Sequence, residues 1–394
     1  VVTVTAYAAT TLEDAAFAGV IAGVPFPSMT NRHPTGPGVE EMRDRFRRFV
    51  ETDAAWAPLY AGLAARIAEE APDVLELVTA ALPGQRRPLT LFAAVHFLLM
   101  GGVEHPLARY YATLTPDPDP GDPFPAFLDL CRSHRDDVAA VISTRRVQTN
   151  EVGRSALLLP GLVTAGRALG PEVALVEVGA SGGLNLLVDR FRYRYEQPEG
   201  PPLHAGVASS PVDVVTALRG PHVPPVAPVP RIADRVGIDL DPADVRDEDQ
   251  RRWLLACVFG DHPERAARLR AALDVAASDP PTVHGGDGTD GLPEILDALP
   301  AGMPAVVWHS VALAYFPRDD REAFETVLDD AARRRPIACV SFEHVSIVPP
   351  VAPARDPASL DGLVLGIRRP GDAGAARPLA VAQPHGAWIE WLDR

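Results

Sequence analysis

Few architectures accept a chain in which, from Pro171 onward, short apolar runs alternate with helical patterns. Val173–Val178 precedes a helical stretch from Leu184. Gly237–Leu240 precedes helical periodicity over 247–277, Thr282–His284 precedes 292–299, and Ala305–His309 precedes 319–334 before the run Ile337–Phe342. Strands separated by helices pair again only after a crossover, which predicts an α/β domain built on a mostly parallel sheet. The tail runs Leu363–Ile367 and Trp388–Leu392 have no helix between them and predict an antiparallel hairpin.

Residues 1–170 have a different texture, with helices joined by Pro-rich loops. Val39–Glu51 places Met42, Phe46, Phe49 and Val50 on one face, and Trp56–Glu70 repeats the pattern with Tyr60, Leu63 and Ile67. Leu89–Met100 is apolar nearly all round and predicts a buried helix, with His96 a hydrogen-bonded core residue. Single helices are predicted over 126–143 and over 150–169, the latter bent at Pro160–Gly161. A chain of 394 residues exceeds what one core organises. The expected division is an all-helical cap domain over 1–170 and a sheet domain over 171–394, with residues 190–236 looped out as an insertion.

Composition excludes several chemistries. All 37 basic residues are Arg, and no Lys occurs. This removes Schiff-base enzymes, the GxxxxGK[ST] phosphate loop and the Tyr-x-x-x-Lys pair of short-chain dehydrogenases, each of which needs an ammonium group. Against 52 acids the net charge is −15, which argues against a nucleic-acid or anionic-membrane partner. Cys131, Cys257 and Cys339 are widely spaced in apolar surroundings, so neither a disulfide framework nor a metal site is expected. The longest apolar run is too short to span a bilayer, and the beginning of the chain shows no basic region followed by an apolar stretch. These features predict a cytoplasmic protein acting on a small molecule, and they leave the oligomeric state open.

The densest signal is Glu177-Val178-Gly179-Ala180-Ser181-Gly182-Gly183-Leu184-Asn185, a buried strand running into a glycine-rich turn. Such a turn lets a ligand approach the backbone closely. A GxGxxG dinucleotide fingerprint fails, because Ser181 holds the middle position. Gly179-Ala-Ser181-Gly-Gly183 satisfies the G-x-S-x-G nucleophile elbow, with Asp287 or Asp290 as acid and His309, His344 or His385 as base for a serine hydrolase. That reading lacks the strands expected upstream of the elbow and any HGGG-like segment.

As E-x-G-x-x-G-G the turn resembles the nucleotide loop of class I S-adenosylmethionine-dependent methyltransferases. Further matches follow in order: Gly237-Ile238-Asp239-Leu240-Asp241-Pro242, Gly285-Gly286-Asp287-Gly288, and Val306-Val307-Trp308-His309-Ser310. The resemblance covers roughly residues 171–394 and implies a Rossmann-like, methyltransferase-type fold. S-adenosylmethionine would lie against Glu177, Gly179, Ala180, Ser181, Gly182 and Gly183, with Asp239 on the ribose and Asp287 near the adenine. Two departures stand out. Ser181 replaces a glycine, and Asp239 lies 62 residues after Glu177, where about 20 is usual for a ribose-binding acid.

The whole chain also resembles a mainly actinobacterial family, domain-of-unknown-function family 2332. Residues 145–154 (RRVQTNEVGR), 179–187 (GASGGLNLL), 237–242 (GIDLDP) and 251–256 (RRWLLA) carry that likeness, which implies domain limits and no activity.

Within residues 145–154, Gln148, Asn150 and Arg154 are candidates for an acceptor pocket facing the turn, with Glu151 acting on the acceptor; the alternative is a plain helix start with Asn150 as N-cap. His309 ends a strand beside the expected crevice and is a candidate general base; a hydrogen-bonded structural histidine is the alternative. The leading expectation is methyl or other group transfer from S-adenosylmethionine to a small-molecule acceptor, with the helical domain closing the site. The alternatives are the Ser181 hydrolase and a non-catalytic nucleotide- or partner-binding module.

Overall fold

The computed structural model describes residues 38–53, 56–347, 363–371 and 376–392, so the helical reading of the first 37 residues falls outside the described part. Packing divides the chain into two units, one of residues up to Thr149 plus Asp247–Ala267, the other of Asn150–Arg246 plus Arg268 onward. This division differs from a boundary at residue 170 in two places. Helix Ser155–Leu169 joins the sheet unit because its Gly161 lies so close to a strand that an added Cβ would sit 2.8 Å from Val340 Cγ1. Asp247–Ala267 returns to the helical unit, where Trp253 packs edge-on against Phe97 and Phe259 against Tyr60.

In the helical unit, prolines act as starters. Helices Pro58–Glu70, Pro72–Val78 and Pro88–Met100 each open on one, at a position whose N–H would have no intrahelical partner anyway. The apolar faces read from the sequence meet in one core, where Met42, Phe46, Leu63 and Ile67 are buried and Tyr60 stacks on Phe92 at 4.5 Å. His96 is fully buried. It faces the Ala256 carbonyl at 3.2 Å and Thr113 Oγ1 at 2.8 Å, and burial lowers its pKa to about 4, so it is a neutral core residue. The expected single helix over 126–143 is two, Phe124–Ser133 and Arg135–Thr144, broken at His134 (φ −115°, ψ 32°). Asp136 and Asp137 fall in the first turn of the second helix, where acids favour a new N-terminus.

The other unit is α/β. Among the described residues eleven strands form one sheet: β1 (Glu172–Val178), β2 (Arg192–Glu196), β3 (Leu203–Gly206), β4 (Asp213–Arg219), β5 (Arg231–Asp239), β6 (Thr282–Gly285), β7 (Ala305–Ser310), β8 (Ile337–Glu343), β9 (Leu363–Arg368), β10 (Arg377–Ala382) and β11 (Trp388–Trp391). Their order is β3-β2-β4-β11-β10-β9-β8-β7-β1-β5-β6. β6, β5, β1, β7 and β8 are all parallel, as the strand–helix alternation requires. β9, β10 and β11 continue the sheet antiparallel.

Three expectations are corrected here. Residues 190–236 are not looped out: β2, β3 and β4 extend the sheet beyond β11, with β4 parallel to it. Their alternation buries Tyr193 and Tyr195 on one face and covers what would otherwise be an exposed edge strand. The tail runs do not pair with each other, because β10 lies between them. Finally, the helix before β1 begins at Ser155, after a 3₁₀ turn over Val152–Arg154. Pro160 is tolerated inside it because the Ala156 carbonyl, which loses its helical donor to the proline, accepts the Tyr195 hydroxyl at 2.8 Å.

Candidate functional site

β5 lies on one side of β1 and β7 on the other, so the crossovers after β1 diverge at its carboxyl end. Open α/β sheets bind ligands at such switch points. The glycine turn sits there. Gly179 has φ +76°, and an added Cβ would stand 2.6 Å from Ala312 Cβ, so both conformation and close packing demand glycine. Ser181 also has a left-handed backbone, φ +51°, a conformation non-glycine residues rarely adopt.

The amide hydrogens of this turn are fully used. Gly179 and Ala180 donate to the Ile238 carbonyl at 2.9 and 3.2 Å, and Gly183 donates to Ala180 at 2.8 Å. Ser181 N–H goes to Asp239 Oδ2 at 2.8 Å and Gly182 N–H to Asn150 Oδ1 at 3.2 Å. Asn150 also donates its Nδ2 to Ser181 Oγ at 2.7 Å. Asp239, half-buried at the end of β5, accepts Asp241 N–H on its other oxygen at 2.9 Å.

Glu177 lies beside Trp308 across the β1–β7 pair and is 3% exposed. Burial pushes its carboxyl up to about 8; Asn185 and the Trp308 indole favour the charged form without prevailing. Trp308 Nε1 stops short of hydrogen-bonding geometry. Glu177 Oε2, Asn185 Oδ1 and Ser310 Oγ are likewise buried without a hydrogen-bond partner. At the end of β6, Asp287 caps helix Gly288–Ala298, accepting Thr289 N–H at 2.7 Å and Asp290 N–H at 3.3 Å.

The remaining sequence candidates fall into separate clusters. His309 is 1% exposed, its Nδ1 2.9 Å from Glu343 Oε1 and its ring edge-on to Phe324. Burial opposes the imidazolium, but Cys339 and Glu343 outweigh it and raise the pKa to about 10. The same Glu343 oxygen accepts Ala312 N–H at 2.8 Å and Leu313 N–H at 3.0 Å, so this pair shapes the loop after β7. His344 instead pairs with Ser346 at 2.7 Å.

Glu151, 4% exposed, accepts Gly153 N–H at 2.9 Å and Arg268 Nη2 at 3.3 Å on Oε1, and its Oε2 lies 3.1 Å from His385 Nδ1. Arg154 is buried and donates to the Pro384 carbonyl at 2.9 Å and the Ser310 carbonyl at 3.1 Å. Gln148 belongs to the helical unit, where its backbone is hydrogen-bonded to the Cys257 thiol. The structure thus brings Asn150, Ser181, Gly182 and Asp239 into direct contact, and it joins His309 to Glu343 and Glu151 to His385.

A family described as an uncharacterized protein conserved in bacteria (DUF2332) matches residues 43–391. The chain belongs to that family. No curated protein and no solved structure matches it. In this DUF2332 chain no group of three or more His, Cys, Asp or Glu among the described residues could hold a metal ion. No described helix is long and apolar enough to cross a membrane.

Glu343, Trp308, Asn185, Arg268 and His385 were not singled out together by the sequence. No local pattern joins them to their partners, which lie up to 234 residues away.

Proposed function

We propose that the sheet unit of this DUF2332 protein binds S-adenosylmethionine at the glycine turn and transfers its methyl group to a small-molecule acceptor. The observation that carries this reading is the hydrogen-bond inventory of the turn. A pyrophosphate needs free backbone N–H groups, and here all five, from Gly179 to Gly183, are spent within the protein.

Around the turn stand acceptors with capacity to spare, beside the Trp308 indole and the Ser310 hydroxyl. Each Asp239 oxygen holds one N–H and keeps a further lone pair, and Glu177 Oε2 and Asn185 Oδ1 are buried without donors. A ligand with ribose hydroxyls, amino groups and a positive charge fits this set, and a nucleotide phosphate does not. Asp239 would hold the ribose and Asp287 the adenine amine, and the sulfonium makes the methyl group electrophilic. The parallel strand order and the turn at its switch point favour the same class of ligand. Ultraviolet cross-linking with methyl-labelled S-adenosylmethionine tests the assignment. Label is expected in the peptide holding residues 177–187 or that holding 237–242, and label confined to other peptides contradicts it.

A further inference from the structure

A second opening lies at the far end of the sheet from the glycine turn. It is a cleft of about 470 Å³ whose walls include Arg167, Arg377, Val223, Pro225 and Trp391. We propose that this cleft binds a small organic carboxylate with an apolar body, at a site separate from the one on the glycine turn.

Its position follows from the strand directions. β1, β7 and β8 are parallel, β9 is antiparallel to β8, and β10 is antiparallel to β9, so β10 runs the same way as β1. Arg377 opens β10, at the end of the sheet where β1 begins. Trp391 ends β11, which runs the opposite way, and it pairs with Ala380. Arg167 lies in the last turn of helix Ser155–Leu169, just before β1 starts at Glu172. The glycine turn follows β1 at its other end, so the length of the strand separates the two places.

The cleft is built from fixed parts. Gly166 lies so close to Pro230 that an added Cβ would stand 2.9 Å from Pro230 Cγ, which brings the proline-rich segment before β5 against the helix. Trp391 is 4% exposed and held in the sheet, where the following Leu392 N–H donates to the Leu379 carbonyl at 2.8 Å. Val223, by contrast, is a large apolar residue left 54% exposed.

Charge decides the class of ligand. In a chain of net charge −15, no carboxylate among the described residues pairs with Arg167, and the residue is exposed. An arginine in a last turn complements the helix dipole, which accounts for its place and leaves its N–H donors to a ligand. Arg377 has a partner of its own, so it adds positive charge to the wall, and the planar fork that takes a carboxylate end-on is that of Arg167. Thr164, also in the wall, adds no donor, because its hydroxyl is given to the Pro160 carbonyl at 2.8 Å. An exposed ion pair alone is weak, so a bare inorganic anion would not be retained. Trp391, Val223 and Pro225 supply the apolar contact for the rest of the molecule, in a volume that suits a small ligand.

Calorimetric titration with 2-naphthoate tests the proposal, with its neutral amide and inorganic phosphate as controls. Naphthoate is expected to bind with a dissociation constant on the order of 0.1–1 mM, the range for a ligand of this size. The amide should bind at least about fivefold more weakly, as should naphthoate to Arg167→Gln, the scale of one exposed ion pair. Phosphate should give no measurable heat. Val223→Asp changes an exposed position, so the fold should stand while a carboxylate in the wall repels the ligand and binding is lost. Thermal unfolding of both variants checks that they are folded. Asp239→Ala, at the glycine turn, should bind naphthoate as wild type does. No heat with naphthoate, equal binding of the amide or of phosphate, or wild-type affinity in Arg167→Gln and Val223→Asp overturns the proposal. Loss of binding in Asp239→Ala places the naphthoate on the glycine turn and overturns it too.

Discussion

Asn150 donates its side-chain amide to Ser181 Oγ at 2.7 Å, and so grips from outside the one non-glycine residue that the turn holds in left-handed backbone. Its Oδ1 takes the next amide, Gly182 N–H, so one side chain satisfies two neighbours. Asn150→Ala should destabilise the sheet unit by about 1–3 kcal/mol, the cost of leaving partly buried polar groups unpaired. Asn150→Asp should recover part of the loss, because an acceptor for Gly182 remains. Denaturant unfolding measures both, and hydrogen exchange at Gly182 should quicken in the alanine variant.

On the methyl-transfer reading Ser181 serves as a turn residue and not as a nucleophile. Its N–H is spent on Asp239 and its Oγ is engaged by an amide donor, while the paired carboxylates hold His309 and His385 elsewhere. A fluorophosphonate probe is expected to leave it unlabelled. Stoichiometric labelling that disappears in Ser181→Ala would establish the hydrolase instead.

Glu177 gives the fold a pH dependence of defined sign. Its carboxyl titrates near 8 in the folded protein against an ordinary 4.5. The group's contribution is therefore complete below about 4.5 and is lost as pH rises through about 8. Glu177→Gln should match wild type near pH 4.5 and exceed it at pH 8 and above, by on the order of a few kcal/mol. Thermal unfolding of the two proteins across this range measures the difference.

The His309–Glu343 pair has a higher window. The imidazole is raised from an ordinary 6.5 to about 10, so the stability it contributes is full below 6.5 and is lost as pH rises through about 10. His309→Gln should flatten the alkaline limb of the stability profile. Glu343→Ala should cost about 3–5 kcal/mol at neutral pH, since it strands a buried charged partner and two backbone N–H groups.

The parallel half of the sheet was legible because β1, β5, β7 and β8 contain apolar runs bounded by glycine and proline, and such runs need no partner to be recognised. What stayed hidden depends on pairing across long stretches of chain. β4 finds its neighbour β11 some 170 residues later (Ala217 beside Trp388), and no local pattern specifies that register. β10 escaped notice because Arg377-Pro378-Leu379-Ala380-Val381-Ala382 begins on an arginine and a proline and offers only four apolar residues after them. The same limit governs the site. Gly179, Ser181 and Asp239 could be found as a motif, because the first two lie in a glycine-rich turn after β1 and the third ends β5. That His309 would be taken by Glu343, or Glu151 by His385, is a property of the folded sheet edge alone.

The most direct measurement is a calorimetric titration of the protein with S-adenosylhomocysteine and, separately, with NAD. A turn whose five N–H groups are already satisfied, beside an Asp239 carboxylate with lone pairs to spare, should bind the first and not the second. Asp239→Ala should weaken the first by about 1–3 kcal/mol through loss of a charge-assisted acceptor. No heat with S-adenosylhomocysteine at millimolar concentration, or tighter binding of NAD, contradicts the account.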